Sequence, residues 1–449
     1  MNDLTNAALP RVAGTADVAA LIDARPLSGL QLRVVALCGL VMILDSFDSS
    51  AIGFVAPRMA ALWHLAPGAL GPVFAWGFLG QFIGAAFAGP IADRYGRRLV
   101  LIAGVIEFGL ASLATTQAHS LDSLRMLRLV TGLGLGAALP NALALVTEIS
   151  PSRRRGALLV AVLCGMTIGA ATAGTIAAQL MSRFGWSGVF LIGGLLPLAL
   201  VPVLLWALPE SPYFLALKAD QGDRLATVLR RIDPGLPAGL RFVLNEERPS
   251  GLTFRHLFSA GRAPATVLLF LVVFMNNLEI YVFASWLPTL ARASGLTESA
   301  SIMSGVGLNI GGLAGTIAMA WLMSHLVLER LMAVLYAAAA ASIGLLALVA
   351  GAEVPMMLGA ASAGFCIVAG QMGANALLAF RHPTFLRATA LSSGLATGRI
   401  ASIIGPLGTG WVIALGWSPS ATFMLAVVPA VCASMAVLLL GRHRPAAGD

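Results

Sequence analysis

The chain consists largely of long apolar segments separated by short polar breaks. A bilayer core about 30 Å thick is crossed by about 20 apolar residues in an α-helix. The segments have about this length and are continuously apolar, whereas the strands of a transmembrane β-barrel alternate between apolar and polar residues. The pattern therefore predicts an all-α integral membrane protein with twelve spans. The predicted spans are 31–56, 68–91, 99–117, 124–147, 156–181, 187–207, 264–291, 299–323, 331–350, 354–379, 388–414 and 419–440.

The charged residues are few and unevenly placed. They make up 11% of the chain, against about 25% in a soluble domain, and so cannot cover a water-facing surface. The net charge of +8 does not indicate a nucleic-acid partner, because the basic residues fall in alternate loops such as 94–98 and 153–155. This asymmetry follows the positive-inside rule and predicts a cell inner-membrane protein with both termini and the long middle loop in the cytoplasm.

One polar stretch separates six predicted spans from six, and the ends of the fourth and tenth spans resemble each other. Pro151 and Arg155 recur as Pro383 and Arg387, each 232 residues later (383 minus 151 and 387 minus 155). Parallel repeats of this kind characterise transporters whose substrate site lies between two halves at mid-membrane. The first 30 residues lack a basic-then-apolar leader and predict a cytoplasmic tail. The predicted organisation is an N-terminal tail 1–30, an N-terminal half 31–208, a middle loop 209–263, a C-terminal half 264–441 and a C-terminal tail 442–449.

Two aspartates lie inside the first predicted span, where an ionised side chain costs about 2.5–3.5 kcal/mol at mid-bilayer. Asp45 and Asp48 share a helix face, so we expect both to face a central cavity, where close carboxyls favour a shared proton. A pair that braces neighbouring helices is the alternative. Arg128 in the fourth span could pair with either aspartate. Glu279 in the seventh span lies one place from the repeat image of Asp48 and is either a second protonation site or a structural acid. These four residues form the predicted proton-coupling site, and Glu107 stays unassigned.

An arginine inside the eleventh span is the predicted anion site. A guanidinium at that depth needs an anion, and its forked donors match a carboxylate. We therefore expect Arg399 to bind the carboxylate of a substrate, with an internal salt bridge as the alternative. Arg387 lies nearer the cytoplasmic end, where a gating role is expected. Glu148 ends the fourth span and either bonds the arginine loop that follows, which includes Arg155, or takes part in coupling.

Aromatic and amide side chains complete the predicted substrate site. Tyr281 and Phe283 lie deep in the seventh span, where either could stack on an aromatic ring. Trp286 lies nearer the end of that span and could instead be an interfacial anchor. Amides in lipid-depth helices need partners, which could be a ring hydroxyl of the substrate or a neighbouring helix. The amide candidates are Asn141, Gln371 and Asn375.

The loop between the second and third spans reads Gly-Pro-Ile-Ala-Asp-Arg-Tyr-Gly-Arg-Arg from Gly89 to Arg98 and resembles the signature loop of the major facilitator superfamily. Glycine permits close approach of helix ends, and Asp93 could hold a helix N-terminus or an arginine across the interface between the halves. The residue 232 positions after Asp93 is His325, so we expect the two gates to be unequal. The predicted gating residues are Gly89, Asp93, Arg94, Gly96, Arg97, Arg98, Glu148, Arg155 and Arg387.

Further motifs resemble the aromatic acid:proton symporter family of that superfamily. They are Asp45-Ser-Phe-Asp48, the glycine-rich run from Gly132 to Asn141, Trp286-Leu-Pro-Thr289 and the run from Gln371 to Pro406. The resemblance covers nearly the whole chain outside the tail and the middle loop. It implies the major facilitator fold and proton-driven uptake of a benzoate-like acid of the 4-hydroxybenzoate, protocatechuate, benzoate or gentisate type. Ser46, Glu279 and the loop after the eighth span depart from the family pattern.

The alternatives are a symporter for another organic acid, a drug:proton exporter and a non-transporting membrane sensor of aromatic acids. An exporter usually carries a Gly-Pro-rich motif in the fifth span, whereas this span has no proline between Gly165 and Gly174. A sensor would need a signalling domain larger than the middle loop. No nucleophile–base pair, metal-ligand spacing or phosphate loop indicates an enzyme. We expect no cofactor and no metal, protons as the coupling ion, and a monomer whose partners are a small aromatic acid, the proton and the lipid bilayer.

Overall fold

The computed structural model describes residues 15–237, 240–244, 254–259, 261–349 and 351–442, and these are almost entirely helical. The two short strands are β1 (Thr15–Asp17) and β2 (Arg241–Val243). The α-helices are α1 (Val18–Ala24), α2 (Gly29–Leu62), α3 (Gly71–Tyr95), α4 (Arg97–Thr115), α5 (Leu121–Ile149), α6 (Ser152–Ala207), α7 (Pro212–Ala216), α8 (Gly222–Ile232), α9 (Ala263–Ala293), α10 (Glu298–Leu322), α11 (Leu328–Leu348), α12 (Glu353–Phe380), α13 (Thr384–Ala414) and α14 (Pro419–Arg442). The rest of both tails and part of the middle loop lie outside the described residues.

The long helices supply twelve membrane-spanning segments. Ten described helices are long and apolar enough to cross a bilayer. One of them, α6, has 56 residues and is interrupted at Gly185, whose φ of 67° and ψ of −170° are not helical. At 1.5 Å per residue it is about 84 Å long, and it therefore contains two spans. Helix α13, with 31 residues, supplies the twelfth. The expected fold class, two halves of six helices, is confirmed.

The first span is longer than its apolar run. It begins after Ser28, whose side chain and that of Gln31 form a reciprocal capping box. It continues to Leu62, although the sequence predicted an end at residue 56, before Pro57 and Arg58. Pro57 is accommodated inside the helix because neighbouring helices and local adjustments re-satisfy the backbone groups that a proline frees in a membrane span.

Within the N-terminal half, α3 and α5 pack backbone against backbone. A Cβ atom on Gly80 would lie 2.2 Å from the carbonyl oxygen of Leu129, and one on Gly84 would lie 2.1 Å from that of Leu133. Gly132 on α5 is equally confined, since its Cβ would lie 2.2 Å from the oxygen of Gly77. Small residues allow this close approach because no side chain separates the two backbones. Such packing is important in a membrane, where lipid supplies no hydrophobic force to hold helices together.

We expect Gly84→Ala to separate α3 from α5. The added methyl overlaps the backbone of α5, which cannot rotate away as a side chain could, and overpacking of this kind costs about 1–3 kcal/mol. Gly39→Ala is the matched control, because a Cβ at Gly39 meets nothing within 4 Å. Thermal unfolding in detergent should show a lower midpoint for Gly84→Ala alone. Equal midpoints for the two variants would contradict this packing.

The two halves meet on the side of the membrane opposite the chain termini, called here the opposite side; the other is the terminal side. The contacts between the halves join α2 to α9, α6 to α10 and α3 to α13. A Cβ on Gly68, before α3, would lie 1.9 Å from the oxygen of Gly410, near the end of α13. Arg58 and Glu298, also on this side, form an ion pair at 3.7 Å. The described ion pairs of the terminal side instead lie within the N-terminal half and middle loop or within the C-terminal half. The molecule is therefore closed on the opposite side.

Residues 15–24, expected to be part of a tail, are folded onto the N-terminal half. Strand β1 pairs in parallel with β2 of the middle loop, and Val18 and Ile22 of α1 are buried together with Leu229 of α8. Arg25 forms an ion pair with Asp233 at 2.8 Å. The physical reason is that α1 and α8 each carry an apolar stripe that burial against the helix ends removes from water.

Candidate functional site

A buried ion pair lies at the centre of the N-terminal half. Arg128 Nη1 and Asp48 Oδ2 are 3.1 Å apart, with side chains only 4% and 0% exposed. Ser112 Oγ donates to Asp48 Oδ1 at 2.5 Å, and Arg128 Nη2 donates to Thr115 Oγ1 at 2.7 Å. The guanidinium also lies 4.7 Å from the centroid of the Phe190 ring. The structure therefore brings Arg128 and Asp48 together, and further hydrogen bonds offset the cost of burying both charges.

Asp45 has a different environment from Asp48, although one helical turn separates them. It is buried, its Oδ1 has no hydrogen-bond partner among the described residues, and it interacts electrostatically with Arg399 and with Asp48. Asp48 pairs with Arg128 and lines a cavity of about 20 Å³ together with Ser49 and Gln81. The two aspartates therefore have different partners, and a proton shared between them stays a prediction. Glu107 also has two unpartnered oxygens among the described residues, and a Cβ on Gly134 would lie 1.9 Å from its Oε2.

The arginine of α13 is half-buried at the interface between the halves. Arg399 Nη1 donates to Gln81 Oε1 at 2.9 Å, and Gln81 Nε2 donates to Ser49 Oγ at 2.8 Å. The predictions from sequence did not include Gln81. A signal was present, since an amide at lipid depth needs a partner and Gln81 follows Phe74 and Phe78 at helical spacing on α3.

Aromatic side chains close the interface on the opposite side. Tyr281 packs edge-on against Phe78, with ring centroids 4.7 Å apart, and Trp286 packs in the same way against Phe74 at 5.2 Å. Trp286 is 1% exposed and its Nε1 donates to the oxygen of Pro406 at 2.9 Å. The interpretation of Trp286 as an interfacial anchor is therefore wrong. Its indole finds both an apolar neighbour and a carbonyl inside the protein.

Two other candidates on α9 lie inside the C-terminal half. Phe283 is 2% exposed and stacks on Phe423 of α14 with centroids 6.3 Å apart. Glu279 is 1% exposed, and neither of its oxygens has a hydrogen-bond partner among the described residues. Neither residue is brought to the ion pair of the N-terminal half, and a coupling role for Glu279 stays a prediction.

The amide candidates bond to helices in this structure. Asn141 Nδ2 donates to the oxygen of Ala137 in its own helix at 2.8 Å. Gln371 Oε1 accepts from Asn276 Nδ2 of α9 at 2.8 Å, and its Nε2 lies 3.4 Å from Asn375 Oδ1. For Gln371 the alternative of helix-to-helix bonding thus describes this conformation.

The loop after the second span is held within its own half. Arg97 pairs with Asp93 at 2.8 Å and with Glu148 of α5 at 3.4 Å. Glu148 also accepts a hydrogen bond from Ser211 Oγ, just before α7. The expectation that Asp93 bonds across the halves is not met in this conformation, because its partner Arg97 lies four residues later in the same half. Glu148 accordingly bonds the arginine loop and the start of the middle loop.

The glycines of this loop play unequal parts. Gly96 has a φ of 103°, and a Cβ there would lie 2.2 Å from Glu210 Oε2. Glu210 Oε1 accepts from the backbone N–H of Arg98 at 3.1 Å and so caps the start of α4. Gly89 instead has nothing within 4 Å of its Cβ position, so a need for close helix approach does not explain it here. Glu210 and Ser211 were not among the residues predicted from sequence, although their position just after the sixth span is a signal that they lie near this loop.

A cavity of about 590 Å³ lies beside this loop on the terminal side. It is lined by Arg97, Thr147, Glu148, Arg155, Tyr213, Leu217 and Leu244. The Arg94 guanidinium lies 5.4 Å from the ring centroid of Tyr95, and Arg387 is exposed on α13. The structure thus gathers Asp93, Arg97, Glu148 and Arg155, and among the described residues no ion pair joins Arg94 or Arg387 to them.

The C-terminal half carries its own ion pair on the terminal side. Glu329 and Arg381 are 2.7 Å apart. Position 329 is the repeat image of Arg97 (97 plus 232), and position 381 is one residue beyond the image of Glu148 (148 plus 232 is 380). The halves therefore hold the same pair with the charges exchanged. His325, which stands at the repeat position of Asp93, is exposed and lies beside Ser324 and Trp321. The C-terminal half therefore has no aspartate at this position, and the ion pair of Glu329 and Arg381 lies nearby.

Comparisons with known proteins agree with this architecture. The family model described as Major Facilitator Superfamily matches residues 38–394. The chain is 38% identical to a gallate transporter of Pseudomonas putida over 97% of each chain. It is also 38% identical to a 4-hydroxybenzoate transporter of Pseudomonas aeruginosa, over 95% of this chain and 96% of that one. A 3-(3-hydroxy-phenyl)propionate transporter of Escherichia coli is 34% identical over 91% and 94%, respectively.

Solved structures of distant proteins have the same fold. A bacterial homologue of the human lysosomal transporter Spinster, in an inward-facing and unoccupied conformation, has a TM-score of 0.72 at 18% identity over 93% of this chain and 98% of that one. A D-xylose-proton symporter has a TM-score of 0.70 at 17% identity over 91% and 97%. The family match over most of the chain, the full-length relatives and the two halves of six helices together show that this chain is a multi-pass membrane transporter of the major facilitator superfamily, related to aromatic acid transporters, and not an enzyme.

Proposed function

We propose that this protein imports a small aromatic carboxylate together with protons across the inner membrane, by alternating access and as a monomer. The substrate is an acid of the 4-hydroxybenzoate, protocatechuate, benzoate or gentisate type. In support, relatives that match over most of the chain are named as transporters of gallate, 4-hydroxybenzoate, benzoate and gentisate. The observation that carries the proposal is the position of Arg399, a guanidinium between the halves whose hydrogen-bond acceptor is a neutral amide.

Arg399 differs from Arg128 in what neutralises it. Arg128 already has the carboxylate of Asp48 at 3.1 Å, whereas Arg399 has no carboxylate within 4.0 Å among the described residues. A guanidinium is matched best by a carboxylate, which accepts two parallel hydrogen bonds. A substrate carboxylate supplies that partner, and the rings of Tyr281 and Phe78 lie in the same interface, where an aromatic ring could pack.

Asp45 is the residue that binds the co-transported proton in this proposal. Its carboxyl is buried, lacks a hydrogen bond to one oxygen and lies within electrostatic range of Arg399. Protonation of Asp45 would leave Arg399 free of competing negative charge, so proton and substrate would favour each other's binding. With the terminal side in the cytoplasm, as the basic loops indicate, a molecule closed on the opposite side faces inward.

Uptake measurements test the function directly. Cells that express the chain receive radiolabelled benzoate, 4-hydroxybenzoate, protocatechuate, gentisate and a non-aromatic carboxylate as control, with and without a protonophore. We expect accumulation of at least one ring acid that the protonophore abolishes, and loss of that accumulation in Asp45→Asn. Preference for the non-aromatic acid would favour a symporter for another organic acid, and efflux of an apolar cation would favour an exporter.

A further inference from the structure

A polar chain crosses the interface between the halves at the depth of Arg399. Arg399 Nη1 donates to Gln81 Oε1 at 2.9 Å, and the other end of the same amide, Nε2, donates to Ser49 Oγ at 2.8 Å. Ser49 directly follows Asp48, the carboxylate of the buried ion pair. Gln81 therefore lies between the predicted anion site of the C-terminal half and the ion pair of the N-terminal half.

The backbone of Gln81 is held firmly against α5. A Cβ on Gly136 would lie 2.2 Å from the carbonyl oxygen of Gln81, and one on Gly132 would lie 2.9 Å from its backbone nitrogen. The start of the side chain is thus fixed, while its end borders a cavity of about 20 Å³ that Ser49 and Arg128 also line. A cavity of this size holds about one water molecule, so the amide can turn without disturbing the helices.

The amide oxygen of Gln81 occupies one donor of Arg399, Nη1, that a substrate carboxylate would use. A carboxylate brings a full negative charge and accepts two parallel hydrogen bonds from a guanidinium, whereas the neutral amide oxygen accepts one from Arg399. A carboxylate therefore outcompetes the amide oxygen for Arg399. A neutral acceptor satisfies the half-buried guanidinium at low cost and still yields to an anion, which a fixed carboxylate at position 81 would not do. The choice of glutamine therefore has a functional consequence.

We infer that Gln81 is a positioning residue that holds Arg399 in the empty transporter, competes with the substrate carboxylate and links occupancy of Arg399 to the N-terminal half through Ser49. This inference rests on the proposed function, in which Arg399 binds the carboxylate. When the substrate displaces the amide, the hydrogen bond between α3 and α13 breaks at the same moment as the anion is bound. Substrate binding thereby releases one contact between the halves.

Two substitutions separate the two roles of Gln81. Gln81→Glu places a carboxylate on Arg399, so we expect the Kd for 4-hydroxybenzoate to rise at least about tenfold, because the substrate must break an ion pair. Gln81→Leu removes the competing acceptor and the link, so we expect its Kd to stay within about threefold of wild type or to fall, while the rate of uptake falls at least about tenfold. A merely structural glutamine would weaken binding and transport together in both variants.

Binding of radiolabelled 4-hydroxybenzoate to the purified full-length protein and uptake into proteoliposomes supply the two readouts. Gln179→Glu is the matched control, because it makes the same chemical change at an exposed position of α6, and its Kd should equal that of wild type. A Kd for Gln81→Glu within about twofold of wild type overturns the inference. So does an uptake rate for Gln81→Leu equal to that of wild type.

A substrate-free measurement keeps this test distinct from that of the proposed function. Gln81→Glu should raise the thermal unfolding midpoint in detergent in the wild-type background but not in an Arg399→Ala background, because the new ion pair needs the guanidinium. An equal shift in both backgrounds overturns the contact and with it the inference. Absence of binding of every ring acid by wild type, with the background-dependent shift present, contradicts the proposed function and leaves the link between Gln81 and Arg399 in place.

Discussion

Arg128→Leu should destabilise the protein severely, by about 3–5 kcal/mol, because it leaves the Asp48 carboxylate buried without its cation. Asp48 is fully buried and Arg128 is 4% exposed, so water cannot replace the lost partner. The Asp48→Asn/Arg128→Leu variant removes both charges, and we expect it to recover most of the folded yield, since a buried ion pair contributes little net stability compared with neutral groups of similar volume.

The yield of monodisperse protein and the unfolding midpoint in detergent measure this effect. Arg125→Leu is the control, because Arg125 lies one turn before Arg128 on α5 and its ion pair among the described residues is with the exposed Asp122, at 2.8 Å. If Arg128→Leu alone proves as stable as wild type, Arg128 and Asp48 do not form a buried ion pair. Proton-driven accumulation of a ring acid by the double variant would remove Asp48 and Arg128 from the coupling site while leaving their structural role unchanged.

Arg399→Ala should abolish measurable binding of the ring acid, raising its Kd at least about 100-fold, because truncating one partner of a buried charged pair costs about 2–5 kcal/mol. Arg399→Lys keeps the charge but loses the forked geometry that matches a carboxylate, so we expect an intermediate loss. Arg399 takes part in no ion pair among the described residues, and its hydrogen bond to Gln81 is to a neutral group, so neither substitution should prevent folding.

Equilibrium binding to purified protein, with thermal unfolding as the control for folding, measures this second effect. Arg292→Ala is a matched control outside the interface, since Arg292 donates to the oxygen of Leu296 near the end of α9. Unchanged affinity in a folded Arg399→Ala variant would exclude Arg399 from the anion site. The carboxamide analogue of the same ring acid carries no charge, so we expect it to bind wild type and Arg399→Ala about equally weakly.

The exchanged ion pairs of the terminal side have a bearing on alternating access. Arg97 with Glu148 and Glu329 with Arg381 each join the two ends of one helical hairpin inside a half. Neither pair joins the two halves, so neither has to break when the halves move as bodies, which is the motion expected of repeat-built transporters. On the opposite side the ion pair of Arg58 and Glu298 joins the halves, and this contact must break when that side opens.

The membrane-embedded charges could be recognised from sequence because their cost does not depend on the details of packing. An aspartate or arginine inside a 20-residue apolar run is expensive wherever its helix lies, so Asp45, Asp48, Arg128 and Arg399 stood out. The partner of Arg128 could be limited to two aspartates. The choice of Asp48 follows from the rotation of α2, which places Asp48 beside Arg128 of α5 and Ser112 of α4.

Partners that are neutral or distant in the chain give a weaker signal. An amide at lipid depth needs a partner, but Gln81 and Arg399 are 318 residues apart, and the sequence does not indicate that the two side chains meet. Trp286 was ambiguous for a similar reason, since a tryptophan near the end of a span fits an interfacial anchor and a buried residue equally well. Only the structure shows that the carbonyl of Pro406 accepts a hydrogen bond from its indole N–H. The partners of Glu148 depend on how the middle loop folds back, which its polar sequence does not indicate.

The membrane class, the twelve spans and the two halves could be predicted from sequence, because the length of an apolar run and the period of a repeat are properties of the chain alone. Three features could be read only from the packed helices: which charges neutralise each other, which aromatic rings close the opposite side, and which arginine has no carboxylate partner among the described residues. These outcomes depend on the rotation and depth of each helix against its neighbours. Backbone contacts at glycines such as Gly80 and Gly132 set that rotation, and it becomes definite only when all the helices pack together.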